Sequence, residues 1–414
     1  MKDLLSVDVA QARILAAMPL PQTEAIQTEA SQGRVLAAAV EAPIDLPPFA
    51  NSSMDGFAVR TADVLEAGVR LQVVMDIPAG VAPSGTLAPG EAARIMTGAP
   101  VPPGADAVIP VEQTDATWEP ESQIRPGEIV EIRTQATPGQ NIRQVGENIR
   151  MGAQVLTEHT RLRPQDIGML LGLGVIEVTV YQQPRVAILS TGDELIAPWE
   201  PLTPGKIRDT NSYTIAGMVW QAGGEPVRLL PAKDTIADVR RLFNEALAQE
   251  PDIVISTAGV SVGSFDVVRT VLDELGEIGF WRVNVRPGKP LAFGKIAGVP
   301  FFGLPGNPVS AMVTFDLFVR PALQYLQGLP QGMPTIRAET GEVFTSDGRR
   351  TYARVRLHTE HDRVIATATG TQSSGALMSM VLADGLMIIP EGEKTVPKGT
   401  RLEVRLLRDL NFAL

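Results

Sequence analysis

A chain of 414 residues is longer than one ordinary hydrophobic core can organise, and implies three or four domains. Its 44% hydrophobic and 20% charged content is that of an ordinary soluble globular protein, and a net charge of −11 disfavours non-specific binding to nucleic acid or an anionic membrane. With no cysteine, disulfides, chain-held iron–sulfur clusters and thiolate zinc sites are excluded, while oxygen-ligated metals remain open.

The first periodic stretch, residues 7–18, puts Val9, Ala12, Leu15 and Met18 on one helical face behind Ser6 as N-cap. Pro43, Pro47 and Pro48 then break the pattern and set a boundary near residue 43. From there to about residue 140, the short apolar runs 71–75, 92–96 and 107–111 read as strands, with Asp55 and Thr97 at turns. Asp-Gly is a hairpin signal, so local chemistry alone makes Asp55 a turn residue. The segment GQNIRQVGENI carries the tripeptide NIR twice, at 141–143 and 148–150. No basic-then-apolar leader pattern opens the chain and no apolar run reaches the roughly 18 to 20 residues of a membrane span, so the expected location is the cytoplasm.

Between residues 185 and 326 strands and helices alternate: strands at 186–189, 227–230, 253–255, near 281–285 and 291–293, and helices at 211–222, 236–248, 267–275 and 309–326. Such alternation predicts a parallel α/β domain with helices on both faces. Its chemistry gathers where strands end. PDIVISTAGVSVGSFD, residues 251–266, runs from a buried apolar strand into Ser256, Thr257, Gly259, Ser261, Gly263 and Ser264, with Asp266 opening the next helix. GLPGNPVS, residues 303–310, repeats the device, with a turn over 303–305, Asn307 as N-cap and Pro308 at the first helical position. LSTGDEL ends another strand in Thr191, Gly192, Asp193 and Glu194, and Asp234 follows a fourth. Arg282, Arg286 and Lys289 form a basic cluster around a loop stiffened by Pro287, Gly288 and Pro290. The glycines match neither G-x-x-x-x-G-K-[ST] nor G-x-G-x-x-G after a strand. Strand-end loops of this composition point to a phosphate or pterin-like ligand at the carboxyl edge of an open sheet.

Beyond Pro330, strands at 335–344, 352–358, 363–369, 385–389 and 401–407 predict a small all-β domain. His358 and His361, in HTEHDR, read as a solvated hairpin tip, and Arg354 reads by periodicity as an exposed strand residue.

The strings AGVSVGSFD, RPGKPLAFGK and GLPGNPVSA resemble the molybdopterin molybdenumtransferase family, MoeA and the E domain of gephyrin. The resemblance continues through NSSMDGFAVR at 51–60, RIMTGAPVPPGADAVIP at 94–110, GQNIRQVGENI at 139–149 and LSTGDEL at 189–195, and so spans nearly the whole chain. It implies a multidomain α/β plus β protein. A central three-layer parallel α/β molybdopterin-binding domain (181–328) is joined by a β-rich domain inserted at 43–139. An elongated, discontinuous N-terminal linker domain (1–42 with 140–180) and a C-terminal small β-barrel (329–414) complete it.

The implied activity is insertion of molybdate into adenylylated molybdopterin with release of AMP, assisted by Mg²⁺. By the same resemblance, Asp55, Glu194, Asp234 and Asp266 are catalytic candidates, with Asp266 and Glu194 toward the metal. Substrate contacts fall to Thr97, Thr191, Gly192, Ser256, Gly259, Ser261, Gly263, Arg286, Pro287, Lys289, Pro305, Asn307 and Pro308, and molybdate contacts to Lys289, Arg354 and Ser374. The family arrangement further implies a homodimer in which Asp55 and Thr97 face the partner's site. A molybdopterin adenylyltransferase and recipient molybdoenzymes or their chaperones are the expected associates; nucleic acid and membrane are not. Asn148 stands where the family usually has aspartate, so no acidic role is carried over to it. The rival readings are an adenylyltransferase, usually the central α/β domain alone, and a gephyrin-like scaffold.

Overall fold

The structure, a computed structural model, describes residues 4–117, 119, 123–257 and 265–408. It divides into two compact units, one of Met1–Ala25, Gly33–Ala37 and Thr179–Leu414 and the other of Ile26–Gln32 and Ala38–Val178.

The smaller unit is built on a five-stranded sheet in which Ala107–Pro110, Gly56–Val59, Glu91–Ile95, Val69–Ile77 and Ile129–Ile132 lie side by side. In Val69–Ile77 every second residue from Leu71 to Ile77 is buried, yet Leu71 and Val73 enter one core while Met75 and Ile77 enter another. A register shift between Val73 and Met75 accounts for this, because one extra residue sends the following side chains to the opposite face. Gly56 lies so close to the neighbouring strand that a Cβ would stand 2.0 Å from the Ile109 carbonyl oxygen. Only glycine is accommodated there.

The larger unit contains a six-stranded sheet ordered Glu225–Arg228, Arg185–Ser190, Ile253–Thr257, Val299–Leu304, Pro290–Ile296 and Gly276–Arg282. The first four are parallel, Pro290–Ile296 runs antiparallel to them, and Gly276–Arg282 runs antiparallel to Pro290–Ile296 in turn. The central strands read as unbroken apolar runs because both faces are covered. Val186, Ile188, Ile253 and Ile255 pack with Ile215, Val309 and Phe318, whereas Ala187, Leu189 and Val254 pack with Leu242, Phe243 and Val271. Two helical layers thus enclose one sheet.

Several expected boundaries shift. The strand expected near 281–285 is Gly276–Arg282, which starts directly after the helix Phe265–Leu275 and forms a hairpin with Pro290–Ile296. Val285–Arg286 leaves this sheet and pairs in parallel with the barrel strand Arg350–Glu360. The strand expected at 227–230 is Glu225–Arg228, and Gly303 and Leu304 belong to the strand rather than to the turn. The long helix expected at 309–326 is divided into Pro308–Thr314, a π-helical stretch Phe315–Val319 and Arg320–Leu326. The N-terminal helix Val7–Ala17 is capped by Ser6 as expected, but it buries Val7, Ala10 and Ile14 and leaves Val9 and Ala12 exposed. Two apolar registers coexist in its sequence. The one used docks on the 315–326 run, where the Gln11 amide donates to the Leu317 carbonyl at 2.7 Å.

The C-terminal strands Arg350–Glu360, Arg363–Ala368, Thr335–Thr340, Arg401–Leu406 and Gly385–Ile389 close into a barrel, the last pairing back onto the first. His361 and Asp362, at φ of 45° and 62°, form the tight hairpin between the first two. Arg354 is only 2% exposed, which corrects the solvent-facing position that strand periodicity suggests. Its guanidinium turns inward because the barrel's 371–379 segment folds over it, as its hydrogen bonds show.

Candidate active site

The carboxyl ends of the four parallel strands lie together. Arg185–Ser190 continues into Thr191 to Glu194, and the Ala232 amide donates to the Ser190 carbonyl at 3.1 Å, bringing the 232–234 segment alongside. The Asp234 amide then donates to the Asp193 carboxylate at 3.3 Å. Burial, together with the charges of Asp193 and Glu194, raises the Asp234 pKa above the ordinary carboxylate value. The Thr191 hydroxyl lies near enough to oppose that rise, but among the described residues neither the buried Asp234 Oδ1 nor Thr191 Oγ1 makes a hydrogen bond of good geometry. Gly192 allows this crowding, since a Cβ there would lie 2.7 Å from the Glu194 carboxylate. Beneath the rim, the Ser190 and Thr257 hydroxyls share a hydrogen bond of 2.9 Å. Ser256 is buried and in register with Gly303 of the adjacent strand. Gly259, Ser261 and Gly263 lie outside the described residues, as does the side chain of Asp266.

A cationic group adjoins this rim. Because Arg286 pairs with Thr351, it is held beside the strand that carries Arg354 three residues later. The Arg354 guanidinium donates to Ser379 Oγ at 3.2 Å and to the Ser373 carbonyl at 3.1 Å. Burial, reinforced by the like charge of Arg286, pulls its pKa down to about 10. A buried guanidinium bonded to neutral oxygens and facing a second guanidinium is suited to an oxyanion. The next residue of the same segment, Ser374, accepts from the Val309 amide through its carbonyl at 3.1 Å. That bond joins the Arg354 cluster to the loop bearing Pro305, Asn307 and Pro308. Lys289 is exposed, and Pro287 and Gly288 are buried beneath it.

Asp55 and Thr97 belong to the smaller unit and meet there, the Thr97 amide donating to Asp55 Oδ1 at 2.6 Å. In the same unit, Leu46, Pro47, Asn51, Arg143, Glu147 and Asn148 line a cavity of about 490 Å³. Sequence reasoning missed Asp209 and Asn211. The tripeptide Asp-Thr-Asn ahead of a helical pattern was their available signal, since Asp and Asn favour helix starts.

Three family models match the chain in order: MoeA N-terminal region (domain I and II) over 5–174, a probable molybdopterin binding domain over 187–325 and MoeA C-terminal region (domain IV) over 337–407. The chain belongs to the MoeA family. Molybdopterin molybdenumtransferase 2 of Mycobacterium tuberculosis (strain H37Rv) is 39% identical over 386 residues, covering 90% of this chain and 92% of that protein. The molybdopterin molybdenumtransferase of Haemophilus influenzae is 35% identical over 406 residues, covering 97% and 98%. Among solved structures, a molybdopterin biosynthesis MoeA protein from Pyrococcus horikoshii superposes with a TM-score of 0.81 at 31% identity, covering 99% of this chain and all of that one. The MoeA likeness therefore extends over both units and the barrel.

Proposed function

We propose that this protein inserts molybdate into adenylylated molybdopterin and releases AMP, the final step of molybdenum cofactor formation. The observation that carries the reading is the buried Arg354 guanidinium beside Arg286, tied through Ser374 to the strand-end loop at Val309. The names of the relatives and the family membership supply the reaction class.

Both reactants are anionic, so their mutual repulsion must be offset before they meet. Arg354 provides a planar fork for a tetrahedral oxyanion, and Arg286 with Lys289 adds positive charge around it. Ser374 completes the molybdate contacts, while Thr191, Gly192, Ser256, Gly259, Ser261, Gly263, Pro287, Pro305, Asn307 and Pro308 hold the pterin nucleotide, with Thr97 of the partner subunit. In the exchange, two dithiolene sulfurs bond to molybdenum as metal-bound oxygens leave as water or hydroxide. In the cleavage, water adds to the adenylyl phosphorus, the bond to the pterin phosphate oxygen breaks, and AMP departs.

The residues at the carboxylate rim suit a divalent ion shared with substrate phosphates: Asp234 Oδ1 is buried without a hydrogen bond of good geometry among the described residues, and burial, then the charges of Asp193 and Glu194, raises the Asp234 pKa. No cluster of three metal-ligating side chains occurs among the described residues, so an all-protein cage is not the arrangement proposed. Glu194 and Asp266 would hold Mg²⁺, which when bound supplies charge neutralisation to the phosphate oxygens. Asp234 and Asp55 act in support, moving a proton or fixing the reacting groups.

The reading extends to a homodimer in which Asp55 and Thr97 complete the partner's site, and to domains bounded as the sequence implies. It places the protein in the cytoplasm, between an adenylyltransferase that makes its substrate and molybdoenzymes or chaperones that take its product. No helix among the described residues is long and apolar enough to cross a membrane. The test incubates purified protein with adenylylated molybdopterin and Mg²⁺, with and without molybdate. Molybdate-dependent AMP release with formation of active cofactor is expected; formation of the adenylylated intermediate from ATP instead would replace this reading with the adenylyltransferase one.

A further inference from the structure

We infer that Asn211 is a positioning residue for the 305–308 loop, acting through the Gly306 carbonyl; the inference rests on the transferase reading above. The helix Asn211–Gln221 begins from an unusually well-fixed point. Asp209, 3% exposed, accepts from the Ser212 amide at 3.0 Å and the Ser212 hydroxyl at 2.5 Å. Its own amide donates to the Ile196 carbonyl at 3.0 Å, and Leu195–Ile196 pairs in parallel with Ile207–Arg208. The helix start is thereby bound to the segment that follows Thr191 to Glu194.

From that fixed point the Asn211 side-chain amide donates to the Gly306 carbonyl at 2.8 Å. Gly306 needs such an anchor. A Cβ built on it would meet nothing within 4 Å, and Asn307, next in the chain, makes no side-chain capping bond to the helix Pro308–Thr314. The loop's entry therefore lacks both packing at Gly306 and the usual asparagine cap. Ile215 and Val309 share one core, so the two helices stand together and the Asn211 bond spans their starts. Two of the strand-end loops are tied into one frame by the 209–212 segment. Removing the donor leaves the Gly306 peptide to turn toward water and displaces the residues on either side of it.

Among the described residues Asn211 makes no hydrogen bond to the Arg354 cluster, which meets this loop farther along at Val309, so its loss should affect the pterin nucleotide more than molybdate. In the full-length protein, Asn211→Ala is expected to raise KM for adenylylated molybdopterin about tenfold, with kcat and the molybdate KM within about twofold of wild type. Asn211→Asp, which keeps the shape but replaces the donor with an acceptor, should do at least as much. Thermal unfolding of both variants should match wild type, because the bond is exposed and lies outside the core. Equal rises in both KM values, or a lowered unfolding midpoint that explains the loss, would show a general structural role and overturn the inference. Wild-type kinetics in both variants would overturn it as well. Absence of molybdate-dependent AMP release from wild type itself would instead defeat the transferase reading, and the inference with it.

Discussion

Replacing Arg354 with methionine tests whether this guanidinium serves the fold or a ligand. Its pKa is drawn down to about 10 from the ordinary arginine range, chiefly by burial and then by Arg286. A displacement of that size corresponds to about 3 kcal/mol between the charged and neutral forms. Allowing for residual solvent screening, about 2 kcal/mol is the strain of keeping this charge in the unliganded protein. Its bonds to Ser379 and Ser373 return about 1 kcal/mol each. The two effects nearly cancel, so Arg354→Met should change unfolding free energy by less than about 1 kcal/mol.

Molybdate binding is different, because a bound dianion removes the charge penalty and takes up the guanidinium's donors. Loss of that relief should weaken molybdate by roughly 30-fold in calorimetric titration. The sign of the pH effect follows from the same shift. Arg354 stays protonated through neutrality, so wild-type molybdate affinity should be flat there and fall as pH rises through about 10. Unchanged molybdate affinity in Arg354→Met would refute the argument. So would a loss of more than about 3 kcal/mol of stability without ligand, since the charge would then be holding the barrel together.

Gly288→Ala should displace the loop that carries Arg286 and Lys289. Its φ is +103° and the new Cβ would lie 2.4 Å from Thr314 Oγ1, so about 1 to 3 kcal/mol of stability should be lost in denaturant titration. Adding Thr314→Ala should recover the steric part of that loss and leave the backbone part. Asp55→Ala removes the 2.6 Å bond from the Thr97 amide and should cost about 1 kcal/mol, leaving the chain folded by circular dichroism. If Asp55 completes the site, AMP release should nonetheless fall at least about 100-fold; a smaller loss would make it a turn residue alone.

Much of the α/β unit was readable because its strands are buried on both faces and its helices bury one. Ile253 to Ile255 and the helix Ile236–Leu247 carry those patterns without ambiguity. The misread elements are those whose partner is remote in sequence. Val285–Arg286 is a strand only because Arg350–Glu360 lies beside it, and no local pattern reveals that. The N-terminal helix offered two apolar registers, and docking near Leu317 chose between them. Arg354 shows the same limit at the site. Strand alternation says which side a residue faces, yet a closed barrel whose 371–379 segment covers one residue makes an arginine interior. The family strings single it out for a molybdate contact, an assignment that periodicity does not make.

The sharing of Val285–Arg286 has a mechanical meaning. Residues on either side of this strand belong to the six-stranded sheet, whereas the strand itself is hydrogen-bonded to the barrel next to Thr351. Arg286 and Arg354 are consequently held on one strand pair, while Val285 and Tyr352 pack in the same core as Ile255 and Phe302 of the sheet. The spacing of the two arginines is therefore set by one hydrogen-bonded ladder, and that ladder is anchored to the sheet by packing as well as by the chain. The arginine pair is thus set like a rivet where barrel and sheet share one core, with the 283–290 segment passing between them.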